Sequence, residues 1–158
     1  MTDPVLLAKV LTVSDGVANG AREDTGGAAL VEQLIGAGFD VVQHRVTQDG
    51  VEAVAAALTE MTNGFAGLVV TTGGTGFGPR DQTPEGTRAV IEREAPGLAE
   101  AMRLTSPLGR LSRGIAGARG KAIICNTPGS PKGCVEQLAA ILDVVPHAVH
   151  LLAGDKPH

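Results

Sequence analysis

Tryptophan and tyrosine are absent from this 158-residue chain, and phenylalanine occurs only at Phe39, Phe65 and Phe77. A module that stacks nucleic-acid bases on aromatic rings is therefore not expected. Positive charge is also scarce: Lys and Arg number 13 against 17 Asp and Glu, giving a net charge of −4. The cations are scattered, so no basic face is available to sheathe a nucleic-acid backbone. Two cysteines, Cys125 and Cys134, are too few for a disulfide framework in a chain of this length. No apolar run approaches the roughly 20 residues that cross a bilayer, and Met1-Thr2-Asp3-Pro4 lacks a basic, then apolar, signal pattern. A cytoplasmic protein without nucleic-acid or membrane partners is expected. What is abundant is Val, Leu, Ile and Ala, enough for one core, and a single domain over residues 1–158 is expected.

Residues 6–13 form a short apolar run that stops at the turn-forming Ser14-Asp15-Gly16, as a buried strand does. A polar loop follows, and then Leu30, Val31, Leu34 and Ile35 share a helical face that Gly38 terminates. Residues 39–46 read as a second strand. Val51, Val54, Ala55, Leu58 and Met61 form a second helical stripe, and residues 67–72 a third strand. This alternation predicts a three-layer α/β sandwich with a mostly parallel central sheet. Thr83-Pro84 and Ser130-Pro131 each set a hydroxyl cap before proline and predict helix starts. Between them a helix is expected near 98–105, an extended stretch near 111–116, a turn at 117–120 and a strand at 121–126. The turn implies a hairpin. One helix is expected from Pro131 through Val145, broken by Pro146, before a last apolar turn at 148–152.

Chemistry concentrates in the loops that follow strands. Thr71-Thr72-Gly73-Gly74-Thr75-Gly76-Phe77-Gly78-Pro79-Arg80-Asp81-Gln82-Thr83-Pro84 is rich in glycine, so its amides can approach an anion closely. It is not a Walker A loop, because Pro79-Arg80 stands where Lys-Ser/Thr is needed; nor is it a dinucleotide fingerprint, which needs a small residue at Pro79. A phosphate cradle and a purely structural tight turn both remain open. Arg80 beside Asp81 pairs a cation for phosphate oxygen with a carboxylate for Mg²⁺, which suits phosphoryl or nucleotidyl transfer. Asp81 as an ordinary acid at a helix start is the equal alternative. Asp49-Gly50 also joins a strand to a helix, and by itself Asp49 reads as a helix cap. The segment Asn126-Thr127-Pro128-Gly129-Ser130-Pro131-Lys132 offers an amide side chain, hydroxyls and a lysine, or else a rigid capped loop. Convergence shifts the balance, since an open parallel sheet delivers the loops after its strands to one edge.

Other candidates carry less. His44, His147, His150 and His158 lack metal-ligand spacing, so surface or structural roles and no zinc site are expected. Cys125 reads as core, whereas Cys134 at a helix start could be somewhat reactive. Arg113 could face an anion, a subunit boundary or solvent.

Gly73-Gly74-Thr75-Gly76, Pro79-Arg80-Asp81, Thr83-Pro84-Glu85 and Pro128-Gly129-Ser130-Pro131-Lys132, in this order after Ser14-Asp15-Gly16, resemble the MogA/MoaB family, to which the gephyrin G domain belongs. The resemblance spans residues 6–154. It implies adenylylation of molybdopterin by Mg-ATP, giving adenylyl-molybdopterin and pyrophosphate, in a homotrimer that feeds a downstream molybdate-insertion enzyme. Carried onto matching positions, it makes Asp81 and Asp49 catalytic through Mg²⁺. Gly73, Gly74, Thr75 and Gly76 would hold nucleotide phosphate, with Arg80 beside them. Ser14 and Asp15 would line the pocket, and Pro128, Gly129, Ser130 and Lys132 would meet the pterin end or its phosphate. Gln48 precedes Asp49 where many relatives have proline, so this match is looser than that of Asp81. Two rivals predict different outcomes: a non-catalytic molybdopterin carrier of the MoaB type, and an unrelated nucleotide hydrolase that ignores pterin.

Overall fold

The computed structural model describes residues 5–154, so the readings of Met1-Thr2-Asp3-Pro4 and His158 lie outside the described residues. Six strands form one sheet in the order β2-β1-β3-β6-β5-β4. The strands are β1 (Leu6–Val13), β2 (Phe39–Thr47), β3 (Gly67–Thr72), β4 (Arg93–Glu94), β5 (Ala116–Arg119) and β6 (Ala122–Thr127). The helices are α1 (Asp15–Ala18), α2 (Thr25–Gly36), α3 (Val51–Thr62), α4 (Thr83–Arg88), α5 (Pro96–Arg103), α6 (Pro131–Ala139) and α7 (Val145–Leu152), with a 3₁₀ turn at Pro107–Leu111.

Strands β2, β1, β3 and β6 are parallel, whereas β5 and β4 run antiparallel to their neighbours. The pleat alternates side chains between two cores. Val10, Leu68, Val70, Ile123 and Cys125 face Leu30 and Leu34 of α2, Met102 of α5, Leu138 of α6 and Val149 of α7. Leu11, Val13, Val69 and Ile124 face Val54, Leu58 and Met61 of α3. Each fully buried leucine contributes about 1.5–3 kcal/mol relative to exposure, so both layers are held by burial on the sheet rather than by helix propensity. The expected three-layer, mostly parallel architecture is observed. No helix among the described residues is long and apolar enough to cross a membrane.

The parallel register fixes where the loops emerge. Thr12 pairs with Thr72, Thr72 with Thr127, and Val13 with Thr47, so four strands end at one level. Their following loops share that edge.

Several local expectations are corrected. The single helix after Pro131 is two helices separated at residues 140–144, and Pro146 lies in the first turn of α7, where its missing N–H costs nothing. Residues 117–119 belong to β5, with the hairpin turning at Gly120-Lys121; of the stretch 111–116 expected to be extended, Leu111 ends the 3₁₀ turn, 112–115 are irregular and Ala116 opens β5. Helix α5 begins at Pro96, two residues before the expected stretch, and the short strand β4 and helix α1 carry too few apolar residues to register as periods. Thr83 is not a cap: Gln82 occupies that position without a side-chain bond, while the Thr83 hydroxyl donates to the Gly73 carbonyl at 2.8 Å. Ser130 does cap α6, accepting from the Gly133 amide at 3.0 Å.

Candidate active site

The loop after β3 reverses through Gly73 and Gly74, at φ +100° and +69°. A Cβ on Gly73 would strike the Val13 carbonyl, and one on Gly74 would strike the Thr83 hydroxyl beside Asp49. Only glycine fits both the backbone and the space. The Gly73 amide donates to the Thr127 carbonyl at 3.1 Å and the Thr83 amide to the Gly74 carbonyl at 3.0 Å, so the turn is tied to the neighbouring strand and to α4. Farther along, the Gly78 amide donates to Asp81 Oδ2 at 2.9 Å and the Asp81 amide to the Gly78 carbonyl at 3.0 Å. Asp81 thus sits at the end of a closed turn.

The loops after β1 and β2 lock together reciprocally. The Asp15 amide donates to Asp49 Oδ2 at 2.9 Å, and the Asp49 amide donates to Asp15 Oδ1 at 3.1 Å. Asp49 therefore does not cap the next helix; Gly50 holds that position at φ +116° without a side-chain bond. Arg80 closes the group, donating through Nε and Nη2 to the Asp15 carboxylate at 2.9 and 3.0 Å, and to the Asp49 carbonyl at 3.0 Å. The Arg80 bonds hold the Asp15 carboxyl below its ordinary range. Burial pushes Asp49 the other way, reinforced by the negative charges of Asp15 and Asp81 and opposed by the Asp15 amide and Arg80. Ser14 caps α1 by accepting from the Val17 amide at 3.2 Å.

These loops bound two adjoining compartments. One, of about 710 Å³, is lined by Thr75, Gly76, Pro107, Leu108, Leu111, Pro128, Lys132 and Gln137 among others. The second, of about 490 Å³, is lined by Ser14, Val17, Arg22, Asp24, Asp49, Gly73 and their neighbours. Gly74, Asp81, Gly129 and Ser130 line both. The sequence-predicted residues Ser14, Asp49, Gly73, Gly74, Thr75, Gly76, Asp81, Pro128, Gly129, Ser130 and Lys132 thus gather on two connected walls; Asp15 and Arg80 stand behind the second, holding Asp49. Asn126 does not offer its amide: fully buried, it donates to Thr71 and Thr87 hydroxyls at 3.0 Å and accepts from the Ile115 amide at 3.1 Å.

Two groups escaped sequence reasoning, Asp24 and an apolar wall. Asp24 lines the second compartment while capping α2, accepting from the Gly27 amide at 2.9 Å and from the Thr12 hydroxyl at 2.8 Å. His44 Nε2 lies 2.8 Å from its Oδ2, a structural role for that histidine. The Asp24-Thr25 cap before an apolar helix was a usable signal, but pairing with residues 12 and 44 was not. The apolar wall of Pro107, Leu108 and Leu111 had no motif. Arg113 turns inward, donating to the Gly76 and Asp81 carbonyls at 2.8 and 2.6 Å and to Glu85 at 2.6 Å. The expectation of a reactive Cys134 is corrected: the thiol is fully buried and burial pushes its pKa up.

A family described as "probable molybdopterin binding domain" matches residues 9–147. The chain is 38% identical to a molybdopterin adenylyltransferase of Helicobacter pylori (strain J99) over 153 residues, 92% of this chain and 87% of that protein. It is 36% identical to gephyrin of Dictyostelium discoideum over 94% of this chain but only 22% of that longer protein. Among solved structures, the molybdopterin biosynthesis enzyme MoaB of Thermus thermophilus superposes with a TM-score of 0.89 at 44% identity, covering 96% of this chain and 98% of the other.

Proposed function

From the premise that this chain belongs to the molybdopterin-binding family of molybdenum cofactor biosynthesis, we propose that it is a molybdopterin adenylyltransferase, a nucleotidyltransferase joining AMP from ATP to molybdopterin. The observation that carries the reading is the shared floor of the two compartments. Asp81, Gly74, Gly129 and Ser130 belong to both, so two phosphorylated substrates entering from either side bring their phosphates together there. Gly73 and Gly74 hold the nucleotide phosphates, with Thr75 and Gly76 continuing that loop into the larger compartment and Ser14 and Asp15 supporting the Gly73 side. Pro128, Gly129, Ser130 and Lys132 receive the pterin end, whose rings lie against Leu108 and Leu111.

In the reaction a phosphate oxygen of molybdopterin bonds to the α-phosphorus of ATP, and the bond from that phosphorus to the pyrophosphate oxygen breaks, its electron pair leaving with pyrophosphate. No covalent intermediate on the protein is needed. Two polyanions must approach, so the chain's task is electrostatic. Lys132 and the loop amides meet phosphate oxygens, and Arg80, fixed on Asp15, lowers the repulsion that Asp15 and Asp49 would exert on them.

Mg²⁺ fits the donor set. Asp49 and Asp81 supply hard oxygens, and the upward push on Asp49 from burial and neighbouring carboxylates is relieved by a divalent cation. Among the described residues no group of three or more His, Cys, Asp or Glu is arranged to hold a metal alone, so phosphate oxygens and water would complete its shell. When bound it would neutralise phosphate charge. We further propose a cytoplasmic homotrimer that passes its product to a molybdate-insertion enzyme.

The test is incubation of the purified protein with molybdopterin, Mg²⁺ and labelled ATP, followed by chromatography. Adenylylated molybdopterin and pyrophosphate are expected. Tight molybdopterin binding without product would replace the transferase by a carrier, and phosphate release from ATP without pterin would indicate a hydrolase.

A further inference from the structure

Arg113 stands outside both compartments yet touches the loop that carries Asp81 at more points than any catalytic assignment uses. Its backbone amide donates to the Thr75 carbonyl at 2.9 Å, Nε to the Gly76 carbonyl at 2.8 Å and Nη2 to the Asp81 carbonyl at 2.6 Å. Nη1 and Nη2 also reach the Glu85 carboxylate on α4 at 2.6 and 3.2 Å, and the guanidinium lies 5.8 Å from the Phe77 ring centre. The side chain is 30% exposed, and its donors converge on protein carbonyls instead of pointing to solvent. These contacts replace the solvated arginine that the sequence left open.

The residues between Gly76 and Asp81 otherwise close mainly on themselves, through the Gly78–Asp81 turn, and reach Asp15 and Asp49, beyond the ends of β1 and β2, through Arg80. Arg113 is a second tie, to the segment that leads into β5. A trans peptide sets its C=O and N–H on opposite sides of the bond. With the Gly76 and Asp81 carbonyls drawn to Arg113, the amides of Phe77 and Gln82 must face away from it. The planar five-donor fork can span two carbonyls and a carboxylate at once, and a lysine ammonium cannot.

We propose that Arg113 is a positioning residue for nucleotidyl transfer, stapling the Gly76–Asp81 loop so that Asp81 and the loop amides are held in place before substrates arrive. The activity arm of this inference rests on the transferase reading above. A misplacement of about 1 Å at reacting groups can cost roughly 100-fold, so the staple acts on turnover more than on capture.

The experiment compares Arg113→Lys with Arg119→Lys, which makes the same exchange at an arginine bonded to a single carbonyl, that of Val90 at 2.9 Å, away from the compartments. In Arg113→Lys, kcat is expected to fall about tenfold or more while KM for each substrate stays within about threefold. Hydrogen exchange of the Gly78 and Asp81 amides, which are bonded within the turn, should accelerate in the ligand-free protein, with β1, β3 and β6 unchanged, and Arg119→Lys should alter neither readout. Glu85→Gln keeps both carbonyl bonds and should leave loop exchange near the wild-type rate. Wild-type kcat and exchange in Arg113→Lys, an equal loss in Arg119→Lys, or the full loop effect in Glu85→Gln would each overturn the proposal. Exchange needs no turnover, so a wild-type protein that makes no product would defeat the transferase reading while leaving the staple to be judged by exchange.

Discussion

The two compartments that meet at Asp81 are made of different materials. The smaller is backbone and carboxylate: reciprocal Asp15–Asp49 bonds, the Gly73–Gly74 reversal, Asp24 on the cap of α2, held by hydrogen bonds among the loops that follow the strands. The larger is a rigid Pro128–Ser130 loop facing Pro107, Leu108 and Leu111, with Leu108 75% exposed and Leu111 56% exposed. A rigid polar wall suits phosphate, which demands fixed donors; an apolar wall suits a ring system, which demands area. The difference also predicts unequal tolerance to change.

A matched pair of glycine substitutions breaks the comparison most sharply. Gly74→Ala puts a side chain at positive φ and into the Thr83 hydroxyl, and is expected to lower stability by about 1–3 kcal/mol and to stop product formation. Gly129→Ala meets only Gly73 Cα at 3.5 Å, ordinary contact, and should stay within about 1 kcal/mol of wild type by thermal unfolding. Equal losses would mean the two loops are equally constrained.

Lys132→Ala removes one cation from the apolar-walled side. Steady-state kinetics should register a rise of roughly five- to tenfold in KM for molybdopterin, with a smaller change for ATP. A larger effect on ATP would exchange the assignment of the compartments.

Asp49 separates stability from activity on the polar side. Because its folded pKa is raised, the native state favours the protonated form: the group's contribution is fully present in acid and is lost as pH rises through the folded pKa. Asp49→Asn should therefore unfold at a higher temperature than wild type at neutral pH, with the gain vanishing near pH 3–4, around the ordinary Asp range of about 3.9. Asp15 has the opposite sign. Its depressed pKa contributes stability above the ordinary Asp range that is lost as pH falls, so Asp15→Asn should give no such gain.

The smallest effect concerns the two buried thiols. Cys125 is pushed up to about 12 by burial and Cys134 is raised as well, so neither should react with a thiol reagent at pH 8 until the protein unfolds. Rapid labelling of Cys134 would show that the start of α6 opens.

Sequence reasoning reached the polar compartment further than the apolar one, for a physical reason. Strand ends, glycine reversals and Ser-Pro caps are local, and parallel topology alone brings their loops to one edge. Leu108 and Leu111 are leucines on an irregular turn, indistinguishable in sequence from core residues, and only tertiary placement makes them a wall. The Thr12–Asp24–His44 group and the Arg113 contacts join residues far apart in the chain with no shared period. Likewise β4 is two exposed residues, Arg93–Glu94, paired only because β5 lies beside it. Asn126 misled because a polar residue at a strand end reads as functional until its partners are seen.

Asp81→Ala tests the meeting point of the compartments most directly. Adenylyl-molybdopterin formation should fall roughly 10²- to 10³-fold, the scale for losing one well-placed electrostatic group, while thermal unfolding and molybdopterin binding stay close to wild type. Undiminished turnover, or a loss matched by collapse of the fold, would contradict the claim that the two substrates meet at this carboxylate.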